Sequence, residues 1–206
     1  MPVDVLIPVK RLVGAKSRLA DGYDPAARQA LALAMTAGVV AAARAARGVE
    51  RVFIVTSEPG AASLGAASLD DGGLPWNEGL AHAIAALAPV PDAIAIVAGD
   101  LPLLTAADVE ALVAAIPAHG IVVARAHDAG SNGLGLRPPD ALVPNFGVSG
   151  SAARHLERAR AAGLAAALLD RPGLAHDVDT PADADRVRAL LPPGPVRDLL
   201  DHRVPA

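Results

Sequence analysis

The residues able to do chemistry fall in three charged clusters far apart in the chain. A first apolar run, Val3 to Val9, feeds Lys10-Arg11 and then Gly14-Ala15-Lys16-Ser17-Arg18-Leu19. Four cations around one glycine can neutralise a polyphosphate, and free backbone N–H groups near Gly14 can cradle it. A solvated basic loop is the competing reading. In mid-chain, Asp100 ends an apolar segment within Ala98-Gly99-Asp100-Leu101-Pro102-Leu103. A carboxylate fixed there suits Mg²⁺, which takes one or two carboxylates plus phosphate oxygens; the alternative is a turn cap. Near the far end, Asp177-Val178-Asp179 precedes Thr180-Pro181. Alternate residues of an extended segment share a side, so either or both acids can complete a metal site with Asp100. Favourable placement at a helix N-terminus accounts for Asp183 and part of Asp179, and leaves Asp177 unexplained.

The elements that must position these clusters alternate in type. Val3–Val9, Arg51–Ser57, Ala93–Ala98, Ile121–Ala126, Leu134–Arg137 and Leu164–Leu169 read as strands. Helices are expected from Asp24-Pro25 to about Arg47, from Asn77 to Ala88, from Thr105 to about Ile116, over Ser151–Ala162, and after Thr180-Pro181. Alternation of this kind implies an α/β fold with a mostly parallel sheet, helices on both faces and right-handed crossovers. Ligands bind such sheets outside the carboxyl ends of the strands, where the basic loop and Asp100 fall. Residues 1–191 read as one domain. Residues 192–206, with four prolines, read as a peripheral or partly disordered tail.

Composition narrows the classes. The chain has 206 residues, 52% of them hydrophobic, enough for a continuous core, but only 2% aromatic, so the core must be Ala, Val and Leu. A net charge of -4 argues against non-specific nucleic-acid binding. Without cysteine there is no disulfide, thiolate nucleophile or Cys-ligated zinc. Met1-Pro2-Val3-Asp4 has no basic n-region and does not read as a signal peptide; the Ala-rich run Met35–Ala46 is short for a membrane span and holds Arg44. A cytoplasmic protein is expected. No Walker-type G-x-x-x-x-G-K-[ST] pattern occurs.

Five blocks in fixed order resemble the 2-phospho-L-lactate and phosphoenolpyruvate guanylyltransferases of coenzyme F-420 biosynthesis. They are IPVKRLVGAKSRL ending at Leu19, VAGDLPLLT at Val97–Thr105, DAGSNGLGLRPP at Asp128–Pro139, FGVSGSAARH at Phe146–His155 and DVDTPAD at Asp177–Asp183. The resemblance implies a Rossmann-like GT-A nucleotidyltransferase fold. GTP would lie over the strand-one loop at Pro8, Val9, Lys10, Lys16 and Arg18, with Thr56 beside it and Asn77 at the guanosine. Mg²⁺ would sit between Asp100 and the acids Asp177 and Asp179. Ser131, Asn132, Gly147, Ser149, Gly150 and Ser151 match the acceptor pocket, with Arg154 and His155 as candidates for a carboxylate.

Three departures accompany the match. Pro75-Trp76 precedes Asn77, and the Phe146 block is one residue longer than the common form, with Gly-Ser where Gly-Thr is usual. The implied reaction is attack of a phospho-acid's phosphate on the α-phosphorus of GTP, with Lys10, Lys16, Arg18 and Asp100 as the catalytic set, in an enzyme that the family makes a homodimer. Small molecules are the expected partners, with neither nucleic acid nor membrane. The competing readings are a molybdenum-cofactor or sugar-phosphate nucleotidyltransferase, a glycosyltransferase using the D-x-D at Asp177–Asp179, and a non-catalytic nucleotide-binding module.

Overall fold

The computed structural model describes residues 1–61 and 64–203. Seven strands form one sheet: β1 (Val3–Pro8), β2 (Val49–Val55), β3 (Ala67–Leu69), β4 (Ile94–Val97), β5 (Ile121–Arg125), β6 (Ser131–Leu136) and β7 (Ala166–Leu169), in the order β3-β2-β1-β4-β6-β5-β7. Among the described residues the α-helices are α1 (Pro25–Ala45), α2 (Trp76–Ala85), α3 (Ala106–His119), α4 (Ser151–Ala161), the one-turn α5 (Pro172–Ala175), α6 (Pro181–Leu190) and α7 (Pro195–Asp201). All strand pairs are parallel except those that β6 makes with β4 and β5. The expected α/β architecture is therefore present, with one reversed strand inside it.

Strand alternation sorts the core into two layers. Val3, Val5 and Ile7 of β1 pack with α1 and α3 through Val39, Val40, Val109, Leu112 and Ile116, while Leu6 points the other way and joins Leu80 of α2 and Ala152 and Ala159 of α4. Though α1 is long and apolar enough to cross a membrane by length and composition, its Leu31, Met35, Val39 and Ala43 are buried in the core. Small residues do what the missing aromatics cannot. A Cβ on Gly135 of β6 would come within 2.6 Å of Ile116, so glycine there is what lets α3 lie close against the sheet.

The helix starts follow local chemistry. Asp24 accepts the Ala27 N–H at 2.8 Å to cap α1, and Thr105 with Asp108, and Thr180 with Asp183, form reciprocal capping boxes for α3 and α6. The expected end of α3 at Ile116 is extended by one turn, through Pro117 to His119. The three-residue β3 and the short α5 carry too few residues to show a period.

The proline-rich end differs from its expectation as a peripheral, partly disordered tail. Pro195 opens α7, Leu200 is fully buried, and the Tyr23 hydroxyl donates to the Leu200 carbonyl at 2.8 Å. Prolines at a first helical turn start a helix instead of preventing one.

Candidate functional site

The reversed strand assembles the site. β1 and β4 end at one edge of the sheet, and β6, antiparallel to β4 with Val97 opposite Gly133, begins there. Asp100, three residues past β4, thus meets Ser131 and Asn132 at the start of β6. A cleft of about 660 Å³ opens at this edge, walled by the basic loop, Asp100, Asp177, Asp179, Ser131, Asn132 and the 147–151 turn. That size is ordinary for a small-molecule site.

The three acids converge as expected. Asp100, Asp177 and Asp179 each offer a carboxylate oxygen, and these atoms lie within 4.8 Å of one another. Lys16 stands between two of them, its Nζ donating to Asp100 at 2.5 Å and to Asp179 at 2.8 Å. Its backbone is left-handed, with φ 51°, a conformation that costs a non-glycine residue on the order of 1–2 kcal/mol. Burial opposes the ammonium charge, but the two carboxylates outweigh it and hold the Lys16 pKa above the ordinary lysine value. Burial likewise opposes the Asp179 charge and is overcome by Lys16, which leaves its pKa lowered.

Asp177 behaves differently. Burial, and then the neighbouring Asp100, raise its pKa, against a hydrogen bond at 3.1 Å from the Asn132 side-chain amide. Three hard oxygen donors, with a cation already drawn between two of them, fit a divalent ion such as Mg²⁺. Arg18 lines the same cleft from an exposed position. Lys10 lies 3.8 Å from the centre of the Trp76 ring, a cation–π contact, and its pKa is lowered, by burial first, against the pull of Asp179 and Asp100.

The opposite wall is neutral. Ser131 and Ser151 bring their hydroxyls to 2.9 Å, and His155, fully buried behind them, places Nδ1 3.3 Å from the Ser131 hydroxyl. The Asn145 N–H donates to His155 Nε2 at 2.9 Å, so the ring proton must sit on Nδ1 and point at Ser131. Burial, with Arg158 nearby, pushes the His155 pKa down to about 4, which keeps the ring neutral at physiological pH. One hydroxyl proton closes the Ser131–Ser151 bond, and the other is left for whatever enters the cleft. Gly147, Ser149 and Ser151 all line it, so the longer turn keeps all three at the wall. Gly150, with φ 68°, is the N-cap residue of α4.

Residues 3–188 match the family model described as guanylyl transferase CofC like. The chain belongs to this family. Over 204 residues it is 43% identical to the phosphoenolpyruvate guanylyltransferase of Sphaerobacter thermophilus, covering 96% of this chain and 98% of that one. It is 39% identical to the 3-phospho-D-glycerate guanylyltransferase of Phenylobacterium zucineum over 89% of this chain and 88% of that protein. A crystal structure from Desulfovibrio desulfuricans G20, provisionally described as a nucleotide-diphospho-sugar transferase, shares the fold at a TM-score of 0.81 and 19% identity, covering 98% of this chain and 95% of that one. The fold is GT-A-like, and the chain is a nucleotidyltransferase of the guanylyl-transferring kind.

Within this guanylyltransferase some residues stand elsewhere than their expected partners. The Asn77 side chain is engaged at both ends, its amide donating to the Phe146 carbonyl at 3.1 Å and its oxygen accepting the Phe146 N–H at 2.8 Å. It ties α2 to the 146–151 turn. Thr56 is buried, and its hydroxyl accepts the Glu58 N–H at 3.0 Å. His155 is behind the wall, and Arg154, exposed, donates to the Ser149 carbonyl at 3.3 Å. Trp76, which from sequence is only a departure from the family pattern, has a place in the site. It stacks on Phe146 at 6.2 Å between centroids and carries Lys10; its being the only Trp in the chain was the available signal.

Proposed function

We propose that this enzyme transfers GMP from GTP to the phosphate of phosphoenolpyruvate, releasing pyrophosphate, as a cytoplasmic step of coenzyme F-420 biosynthesis. The observation that carries this reading is the sharing of one cleft by a cationic loop, three carboxylates and a wall of small hydroxyls. The names of the relatives at 43% and 39% identity favour a three-carbon phospho-acid as acceptor.

The acceptor's phosphate is mostly dianionic at neutral pH, its second pKa being about 6, so no protein base is required. One of its oxygens attacks the α-phosphorus of GTP, the bond from that phosphorus to the bridging oxygen breaks, and the electron pair leaves with pyrophosphate. Asp100, Asp177 and Asp179 would hold Mg²⁺, which when bound supplies neutralisation of phosphate charge. Lys10 and Arg18 offset charge on the departing pyrophosphate from the β1 loop. Lys16, now balancing Asp100 and Asp179, becomes free for phosphate oxygens when another cation balances those acids. The hydroxyls of Ser131 and Ser151 and the start of α4 receive the anionic acceptor.

The test is to incubate the purified protein with GTP, Mg²⁺ and, separately, phosphoenolpyruvate, 2-phospho-L-lactate and 3-phospho-D-glycerate, and to read product masses and pyrophosphate. The expected result is enolpyruvoyl-diphospho-5′-guanosine from the first acceptor. Pyrophosphate release that no acceptor accelerates would remove the activity, and a preference for either other acid would move only the acceptor.

A further inference from the structure

A second cavity of about 360 Å³ adjoins the cleft, sharing with it the end of β1 and Trp76. Its apolar lining comes from Val55 at the end of β2, Leu74, Trp76 and Leu80, a surface suited to the faces of a planar base. It lies on the β1–β2 side of the molecule, away from the Ser131–Ser151 wall across the cleft. A nucleotide with its phosphates at the β1 loop and its α-phosphorus facing the acceptor has this direction left for its base. Asn77, which the family resemblance puts at the guanosine, is bound to Phe146 at both ends, and Thr56 is buried with its hydroxyl accepting the Glu58 N–H.

We infer that Asp71, in this second cavity, is the residue that selects guanine. This rests on the reading of GTP as donor substrate. Beyond Lys10 and Arg11, the polar side chains lining the cavity are Ser57 and Asp71. Guanine presents two adjacent donors, N1–H and the 2-amino group, and a carboxylate is an acceptor at both oxygens. Adenine turns the N1 lone pair to the same place, where a carboxylate repels it.

Asp71 is held for this task. One carboxylate oxygen accepts the Gly73 N–H at 2.8 Å, and its backbone carbonyl accepts the Leu74 N–H at 3.2 Å. A Cβ at Gly79 would come 3.0 Å from the Asp71 Cβ, so glycine at that position of α2 lets Asp71 rest against the helix. Its other oxygen has no hydrogen-bond partner among the described residues. The turn fixes the carboxylate while leaving acceptor capacity open to a ligand.

The experiment compares kcat/KM for GTP, inosine triphosphate, xanthosine triphosphate and ATP in wild type and Asp71→Asn, with saturating phospho-acid and pyrophosphate as readout. Asparagine keeps an oxygen for the Gly73 N–H and adds a donor that matches the xanthine 2-oxo group. Wild type should prefer GTP over the inosine nucleotide, which lacks the 2-amino donor, on the order of tenfold or more. Asp71→Asn should lower use of GTP and raise use of the xanthosine nucleotide, swinging their ratio on the order of 100-fold. A structural role for Asp71 would not move that ratio.

Failure is separable from failure of the activity. A wild type that uses GTP while Asp71→Asn keeps the GTP-to-xanthosine ratio overturns the assignment and leaves guanylyl transfer standing. A wild type that transfers nothing from GTP overturns both. If Asp71→Asn does not fold, equal use of GTP and inosine triphosphate by wild type still overturns the assignment, and a tenfold preference for GTP supports it.

Discussion

The two walls of the cleft are built on opposite plans. On one, Lys16, Asp100 and Asp179 are charged, partly open to solvent and joined by two short ion pairs. On the other, Ser131, Ser151 and His155 are buried, neutral and bonded to one another. Charges facing a cleft can exchange partners at little cost, because a new ion replaces the old one. A buried neutral network cannot, since each broken bond leaves a polar group unsatisfied. The first wall suits a task in which cations and phosphates come and go, the second one in which shape must stay fixed.

The largest expected effect breaks the charged wall. Asp100→Asn keeps the size of the side chain and an oxygen for Lys16 but removes a charge from the triad, so kcat should fall on the order of 100-fold or more and the Mg²⁺ requirement should rise. Turnover near wild type at ordinary Mg²⁺ would show that Asp100 holds no ion. Lys16→Ala tests exchange directly. With the ammonium gone, Asp100 and Asp179 face each other uncompensated, and affinity for Mg²⁺ or Mn²⁺ without nucleotide should rise on the order of tenfold, while use of GTP weakens. Calorimetric titration reads the first and kinetics the second. Unchanged ion affinity would mean that lysine and metal do not share a position.

The contrast between the walls also governs how much the sequence disclosed. Charged residues after apolar strands are conspicuous, and Lys16, Asp100, Asp177 and Asp179 were legible with their meeting place, because parallel strands deliver their ends to one edge. The reversal of β6 was not legible. A run such as SNGLGL carries no mark of direction, and its glycines are explained only by neighbours distant in sequence, Ala124 and Leu112 at Gly133 and Ile116 at Gly135. The neutral wall was half read. Ser131 and Ser151 stood out as hydroxyls near a helix start, but whether His155 faced ligand or core depended on how α4 rotates against β6. The tail differs from its reading as peripheral because Pro195 opens α7 and Leu200 is buried, packing that four prolines at a chain end do not announce.

A smaller effect sharpens the neutral wall. His155→Gln should raise the acceptor KM on the order of tenfold, through loss of the ring that orients Ser131, and leave the GTP KM unchanged; a rise confined to GTP would place His155 with the nucleotide instead. The same variant should change the pH dependence of stability. The folded imidazole has its pKa pushed down from 6.5 to about 4, so between these values the unfolded chain binds more protons. The stabilisation is therefore complete above about pH 6.5 and lost as pH falls towards 4. Wild type should lose on the order of 2 kcal/mol relative to the variant between about pH 7 and pH 4.5, measured by denaturant unfolding. Equal slopes would mean that the ring is not held neutral.

The smallest effect lies outside both walls and serves as their control. Tyr23 is buried beneath α7, where its hydroxyl donates to the Leu200 carbonyl at 2.8 Å and accepts from Arg203 Nε at 3.2 Å. Tyr23→Phe preserves the ring among Leu19, Leu31 and Met35 and removes only the hydroxyl. It should cost about 1 kcal/mol of unfolding free energy, for the lost bond to the Leu200 carbonyl, since the exposed Arg203 guanidinium can turn to water for its own. Because this cluster packs α1 against α6 and α7, and meets the acids only through Val178 between Asp177 and Asp179, kcat and both KM values should hold at wild-type levels. If activity falls with stability, the C-terminal helices set the position of the Asp177–Asp179 segment that runs into α6, and the charged wall is less independent of its scaffold than its exchangeable ion pairs imply.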